Sequence, residues 1–438
     1  MELINGDIGA HIRRIAIPAS IGFIFSTLYN VTDTFYAGLL GSDALAALGV
    51  TFPMFFAVMA VGAGLSQGTN ALVSNYLGSN NRQKAYMIAK QAISYAFLLS
   101  LLLSTIGFFI APSVFRMLGL TESTLPYAIS YMNILFFGLS LFLLAYVTNA
   151  PLLASGDTKS IRNVFMIGFF LNIALNPLFM FVFNLGVAGI AAATVTIYLF
   201  NVLYYVRIGY KRGIYKGTKI KDFIPRKEYG KELFTQAIPA GMNMLTTAIG
   251  IIIITFYFGR FGESAIAAYG VATRIEQIVL LPIIGLNMAV LSLTGQNYGA
   301  KKIDRVRLVL KTALQYGFIV ITIGSVLLFF GGRLLMRFFT QDPAVVSIGN
   351  QYLAIASFIL WAYLILFVSQ SFFQGLKRPW IIFGVSILRQ IIFPLVLFSY
   401  VVYILDSMQL LFWSIFAINW ILALGLYAGS KIYLKKLS

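Results

Sequence analysis

The 438-residue sequence has no cysteine and one histidine, His11, which lies ahead of the first apolar run. The first absence excludes disulfides and thiolate metal sites. With a single histidine, no metal centre, no cofactor and no histidine-based catalysis is expected. No GxxxxGK[ST] loop is present, so ATP-driven work within this chain is disfavoured. Charge is scarce as well: 11% of residues are charged, against about a quarter in ordinary soluble chains. What is abundant is apolar. Hydrophobic residues make up 59% of the chain and its mean hydropathy is +0.86. A chain this apolar has too little polar surface to wrap its own core, so the expected solvent is lipid.

Twelve apolar stretches are long enough to span a bilayer. They run over 14–38, 44–74, 86–111, 126–149, 161–184, 186–208, 234–258, 264–294, 308–330, 345–373, 380–404 and 409–433. Many aromatic residues fall near their ends, as interfacial belts require. The first stretch follows Arg13 and Arg14 with no small-residue cleavage site after it, which reads as a first transmembrane helix and not a signal peptide.

The net charge of +18 is unevenly placed. Alternate loops hold 26 of the 32 cations, including the segment 207–232 and the run Lys301 to Lys311. The opposite loops hold only Arg116, Arg260, Arg333 and Arg337; Arg274 and Arg389 fall inside spans. By the positive-inside rule the basic side is cytoplasmic, with both termini on it. The excess charge is therefore a topology signal facing anionic membrane lipids, and no nucleic-acid partner is expected. The loop 207–232 reads as a solvated basic linker.

The halves repeat. "AIPAS" at 16–20 returns as "AIPAG" at 237–241, and "TFYAGLLGSDALAALGV" at 34–50 returns as "TFYFGRFGESAIAAYGV" at 255–271, both at an offset of 221. Six spans per half send both repeats into the membrane in the same direction, a pattern of secondary transporters. The expected organisation is an N-lobe over 1–206, a cytoplasmic linker over 207–232 and a C-lobe over 233–438. Two six-span repeats suit a rocking carrier better than a pore, and the lack of clustered acids makes an enzyme a poor reading.

Of fourteen acids, only Asp33 and Glu276 lie well inside spans. A charge at the bilayer centre costs about 2.5–3.5 kcal/mol on insertion scales, so such residues face cavities and serve a purpose. At about 1.5 Å per residue, Asp33 lies about 8–12 Å below the outer surface. The same depth count places Asn176, Thr194 and Tyr131 in one layer with it, and Asn172 one turn deeper on the face of Asn176. Burial disfavours the charged form of a carboxyl, which is what a proton carrier needs. In the second half, Glu276 and Arg389 differ in depth by about 4 Å and are candidates for a structural pair or, at Glu276, a site for cationic substrate. Pro18 kinks the first span, and Pro239 repeats it; the repeat position of Asp33 is Ile254.

Over essentially its whole length the chain resembles the multidrug and toxic compound extrusion (MATE) transporters. The stretches that carry the likeness are "IPASIGFIFSTLYNVTDTFYAGLLGSDALAALG", "TNAPLLASGDTK", "LNIALNP" and "TGQNYGAKK". The resemblance implies an all-α membrane fold of twelve helices in two six-helix lobes forming a V. It implies export of drugs and organic cations by a monomer in a prokaryotic inner membrane, in exchange for protons or sodium. It also implies an N-lobe cation site at Asp33, Asn172 and Thr194, with bending of the first helix near Pro18 on protonation. Position 176 departs from the family pattern, having Asn where many members have Asp. One carboxylate fewer weakens a sodium site, which favours protons. The acids of the seventh and tenth spans in sodium-coupled NorM-like members are missing here, which points to the DinF-like, proton-coupled branch. Lipid-linked oligosaccharide flippases of the same superfamily are the alternative, disfavoured by the few arginines available to hold a pyrophosphate.

Overall fold

The computed structural model describes residues 3–437, and among them every regular element is helical. The first half contains α1 (Ile8–Leu39), α2 (Ser42–Gly78), α3 (Arg82–Met117), α4 (Leu125–Phe137), α5 (Leu139–Ala154), α6 (Lys159–Pro177) and α7 (Val187–Lys211). The second contains α8 (Lys227–Gly259), α9 (Glu263–Gly299), α10 (Ile303–Phe339), α11 (Pro343–Gly375), α12 (Pro379–Ile387), α13 (Phe393–Tyr403) and α14 (Met408–Leu437). Among the described residues, eleven helical stretches are long and apolar enough to cross a membrane, and α4 with α5, bent by 48° at Gly138, makes a twelfth. The spans expected from hydropathy are all present, most of them extended by a few residues at one or both ends, while the fifth (Lys159–Val182) and eleventh (Pro379–Tyr403) end one or two residues early. Large side chains such as Phe109, Phe137, Phe330 and Phe338 are 80–89% exposed, the outward face that a lipid solvent requires.

Local signals set the boundaries. Asn81 caps α3 by accepting from the Lys84 N–H at 3.0 Å. Asp342 caps α11 by accepting from Ala344 and Val345, with Pro343 in the first turn where no N–H is needed. The tight turns α1–α2 and α8–α9 are made at Gly41 and Gly262, with φ of 107° and 100°, a conformation that strongly favours glycine. Gly138 lets α4–α5 fold closely over Val195 of α7. Two spans contain a π-helical turn, Leu178–Val182 after α6 and Leu388–Ile392 between α12 and α13. Such turns reorient the side chains around them.

The chain forms two compact units. One comprises Ile21–Gly241; the other joins the described residues up to Ser20 to those from Met242 onward. This differs from the boundaries at 206 and 233 expected from the repeat. The first segment of α1 belongs with the second half, and the first part of α8 belongs with the first half. The two changeover points, Ser20 and Gly241, are themselves 221 positions apart. In the second unit, Gly285 of α9 lies against α1: a Cβ there would sit 2.6 Å from the Ala16 carbonyl oxygen. In the first unit, Gly64 of α2 lies against α8 in the same way, 2.6 Å from the Ala237 carbonyl oxygen. These are small-residue helix crossings, the usual means by which helices approach closely in lipid. The N-terminal segment is held in the second unit by Asn297, Lys302 and Arg305, which donate to the carbonyls of Leu3, Ile4 and Gly6.

The connection between the halves is shorter and more ordered than a solvated linker. With α7 continuing to Lys211 and α8 starting at Lys227, it covers only 212–226. Ile214 and Tyr215 are buried in the first unit, and a 3₁₀ turn, Ile220–Phe223, is bound to α3.

Candidate functional site

Asp33 sits on α1 with Tyr29 one turn before it and Tyr36 and Ala37 one turn after, which places all four on one helix face. That face meets α6 and α7. The Tyr36 hydroxyl donates to the Ile173 carbonyl of α6 at 3.1 Å, and Tyr29 donates to Thr194 Oγ1 of α7 at 3.0 Å. Between these two anchors, Asn172 and Asn176 each donate a side-chain N–H to the same oxygen, Asp33 Oδ1, at 2.7 and 2.9 Å. Both asparagines are completely buried. Ala37, Met180 and Ile190 close one side as a small apolar cluster.

No cation is paired with Asp33 in any ion pair among the described residues. Among the described residues, its side-chain hydrogen bonds come from those two amide N–H groups alone. The carbonyl oxygens of Asn172 and Asn176 are buried without a hydrogen-bond partner, which is uncommon for interior polar atoms. The site thus combines one carboxylate, two amide donors bound to it and two unused amide acceptors.

Of the residues expected in this layer, Asn172 and Asn176 contact the carboxylate directly and Thr194 is linked through Tyr29. Tyr131 packs beside the Ala37 cluster and lies within range of the carboxylate's charge without a hydrogen bond to it. Tyr29 and Tyr198, also within that range, were not anticipated. For Tyr29 the available signal was its i−4 spacing from Asp33. Pro18 lies fifteen residues before Asp33 in α1, about 22 Å along the axis. Near it, Ser20 donates to the Ala16 carbonyl at 2.9 Å and lies 3.4 Å from the Pro282 carbonyl of α9.

In the second unit Glu276 and Arg389 do not pair. Among the described residues, the only hydrogen bond on the Glu276 carboxylate comes from the Tyr352 hydroxyl at 3.3 Å, and its Oε1 has no partner. Around it Phe258 stacks on Tyr269 at 4.4 Å, and Tyr352 meets Tyr269 and Phe412 edge-on, each at 5.5 Å. Arg389 lies in the second π-helical turn, with its guanidinium 5.8 Å from the ring centres of both Tyr363 and Phe367 and one N–H on Asn419 at 3.2 Å. The π turn changes the direction of residue 389 relative to an unbroken α-helix, so similar depth did not bring the two charges together.

Comparison with known proteins agrees with this architecture. A family model described as MatE matches residues 18–178 and 239–400, once in each half. The probable multidrug resistance protein YoeA of Bacillus subtilis is 27% identical, over 74% of this chain and 71% of its own. A FAD transporter of Shewanella oneidensis is also 27% identical, over 79% of this chain and 77% of its own. A transporter of the MOP superfamily from Pyrococcus furiosus has the same fold, with a TM-score of 0.93 over 100% of this chain and 98% of that one, at 24% identity.

Proposed function

Because the chain belongs to the MatE family, we propose that it is a secondary antiporter that exports amphipathic, often cationic, organic compounds in exchange for protons taken up at Asp33. The observation that carries the coupling role is the pair of buried amides on one oxygen of a carboxylate that lacks a cationic partner. An ionised Asp33 accepts from both Nδ2 groups. Once protonated it needs an acceptor, and rotation of either amide by 180° offers an Oδ1 in place of the N–H. The same pocket therefore serves both protonation states, and the exchange alters how α1 is held against α6. Loss of the charge releases the Asp33 face of α1, and Pro18, which removes one backbone hydrogen bond from that helix, supplies the place where it bends. In this reading the protein lies in a prokaryotic inner membrane with both termini cytoplasmic.

The cargo reading is supported by the name of YoeA as a probable multidrug resistance protein. The FAD transporter among its relatives makes a flavin nucleotide a second cargo class to assay. Sodium is a second coupling ion to weigh, favoured by the two unpartnered amide oxygens beside the carboxylate. Everted vesicles loaded through an imposed pH gradient, with and without sodium, separate these cases. Ethidium accumulation should follow the pH gradient in sodium-free buffer and vanish in Asp33→Asn at equal expression. Export that survives in Asp33→Asn, or that needs sodium, rules out proton coupling at this residue.

A further inference from the structure

The connection 212–226 borders an open cleft that the transport site does not use. Ile214 and Tyr215, 3% and 7% exposed, plug one end into the first unit. The other end is latched to α3. Gln91, 1% exposed, donates to the carbonyls of Asp222 and Ile224, both at 2.8 Å, and accepts from the Arg226 N–H at 2.8 Å. Ser94 donates to the Phe223 carbonyl at 2.6 Å. Lys90 pairs with Asp222 at 2.9 Å, with side chains only 10% and 13% exposed. That hydrogen bond holds the Asp222 carboxyl below its ordinary range, so the latch is ionic at neutral pH.

Between the two anchors the chain arches over a space of about 350 Å³ lined by Gln83, Tyr86, Lys90, Lys216, Lys219 and Lys221. Asp222, the one acid in the lining, is already satisfied by Lys90 and by the Lys219 N–H at 3.1 Å. Lys216, Lys219 and Lys221 form no ion pair among the described residues. The cleft is therefore a rigidly framed cationic pocket with three uncommitted ammonium groups. A second feature says where its ligand comes from. Ile220, between two of those lysines, is 90% exposed, and Ile224 is 60% exposed. Bare isoleucines beside lysines at the end of a transmembrane bundle suit the boundary between headgroups and acyl chains.

We propose that this pocket binds the phosphate of an anionic lipid headgroup, with Lys216, Lys219 and Lys221 on the phosphate and Ile220 seated among the acyl chains. The assignment is independent of the cargo and of the coupling ion. Lysines near an anionic surface each add appreciably to affinity, and together they make the site selective for phosphatidylglycerol over phosphatidylcholine.

The full-length protein in nanodiscs of phosphatidylcholine with a minor fraction of phosphatidylglycerol provides the test, with native mass spectrometry counting retained lipid. The unsubstituted protein should retain phosphatidylglycerol, and Lys216→Gln/Lys219→Gln/Lys221→Gln should weaken that retention about tenfold or more. The charge-matched Lys301→Gln/Lys311→Gln/Lys436→Gln should not, which separates the pocket from net charge. Equal retention in both triple variants, or no preference between the two lipids, overturns the proposal. So does saturable binding of inorganic phosphate in detergent without lipid selectivity, which would make this a free-anion site.

Discussion

At the scale of single residues, the second asparagine on Asp33 separates this chain from the pattern it resembles. Asn176 contributes a neutral amide where a second carboxylate is common in that pattern, and it donates to Asp33 at 2.9 Å. Hard cations favour anionic oxygen, so Asn176→Asp should move the site toward sodium. The expected outcome is vesicle efflux that rises with NaCl but not with KCl, and a weaker response to the pH gradient than in the parent. Efflux that responds to the two salts as the parent does would show that residue 176 has no part in ion choice. Asp33 was legible because it is the only charge between Arg14 and Asp43, and the amides because i, i+4 spacing puts them on one face. Tyr29 was only half legible: its i−4 spacing puts it on the face of Asp33, but among 24 tyrosines nothing in the sequence pairs it with Thr194 until α7 is seen beside α1. The separation of Glu276 from Arg389 escaped for a related reason: depth along a helix is countable, but direction around a π turn is not.

At the scale of elements, the glycine crossings show how the repeat is used in packing. Gly64 and Gly285 are 221 positions apart, and each presses a bare Cα against the first helix of a half. An added Cβ meets a backbone carbonyl oxygen at 2.6 Å in both cases, and a helix backbone cannot yield as a side-chain tip would. Gly64→Ala and Gly285→Ala should each cost about 1–3 kcal/mol, the usual range for overpacking. Gly49 and Gly270 form the control pair, also 221 apart, with nothing within 4 Å of an added Cβ. Alanine there should be neutral or stabilising, by up to about 1 kcal/mol from helix propensity. Thermal unfolding in detergent, followed by size exclusion, would order the four variants, and equal melting of all four would show that the crossings are not tight. The connection 212–226 shows what composition hides: nine Lys and Arg across 207–231 read as a solvated linker, because the buried Gln91, Ser94 and Tyr215 that fasten it are neutral and scattered.

At the scale of the whole molecule, the twelve spans were readable because the thickness of hydrocarbon sets their length, and the two halves because their sequences still match. What the sequence match does not reveal is which neighbours a segment packs against. The residues of α1 up to Ser20 belong with the unit that starts again at Met242, and α8 up to Gly241 belongs with the other. Neither half of the chain is then a complete folding unit. A fragment ending at Gly217 lacks the α8 segment that covers Gly64 and the latch on Gln91. A fragment starting at Thr218 lacks the α1 segment that covers Gly285. Each fragment leaves a close-packed crossing open to lipid, where small residues gain little without a partner helix. Expressed alone, both should be degraded or aggregate on extraction. Expressed together, they should yield a complex that runs as one species and resists trypsin as the intact chain does. A fragment 1–217 that purified alone as a monodisperse, protease-resistant species would show that the exchange of first helices is dispensable, and that each repeat folds on its own.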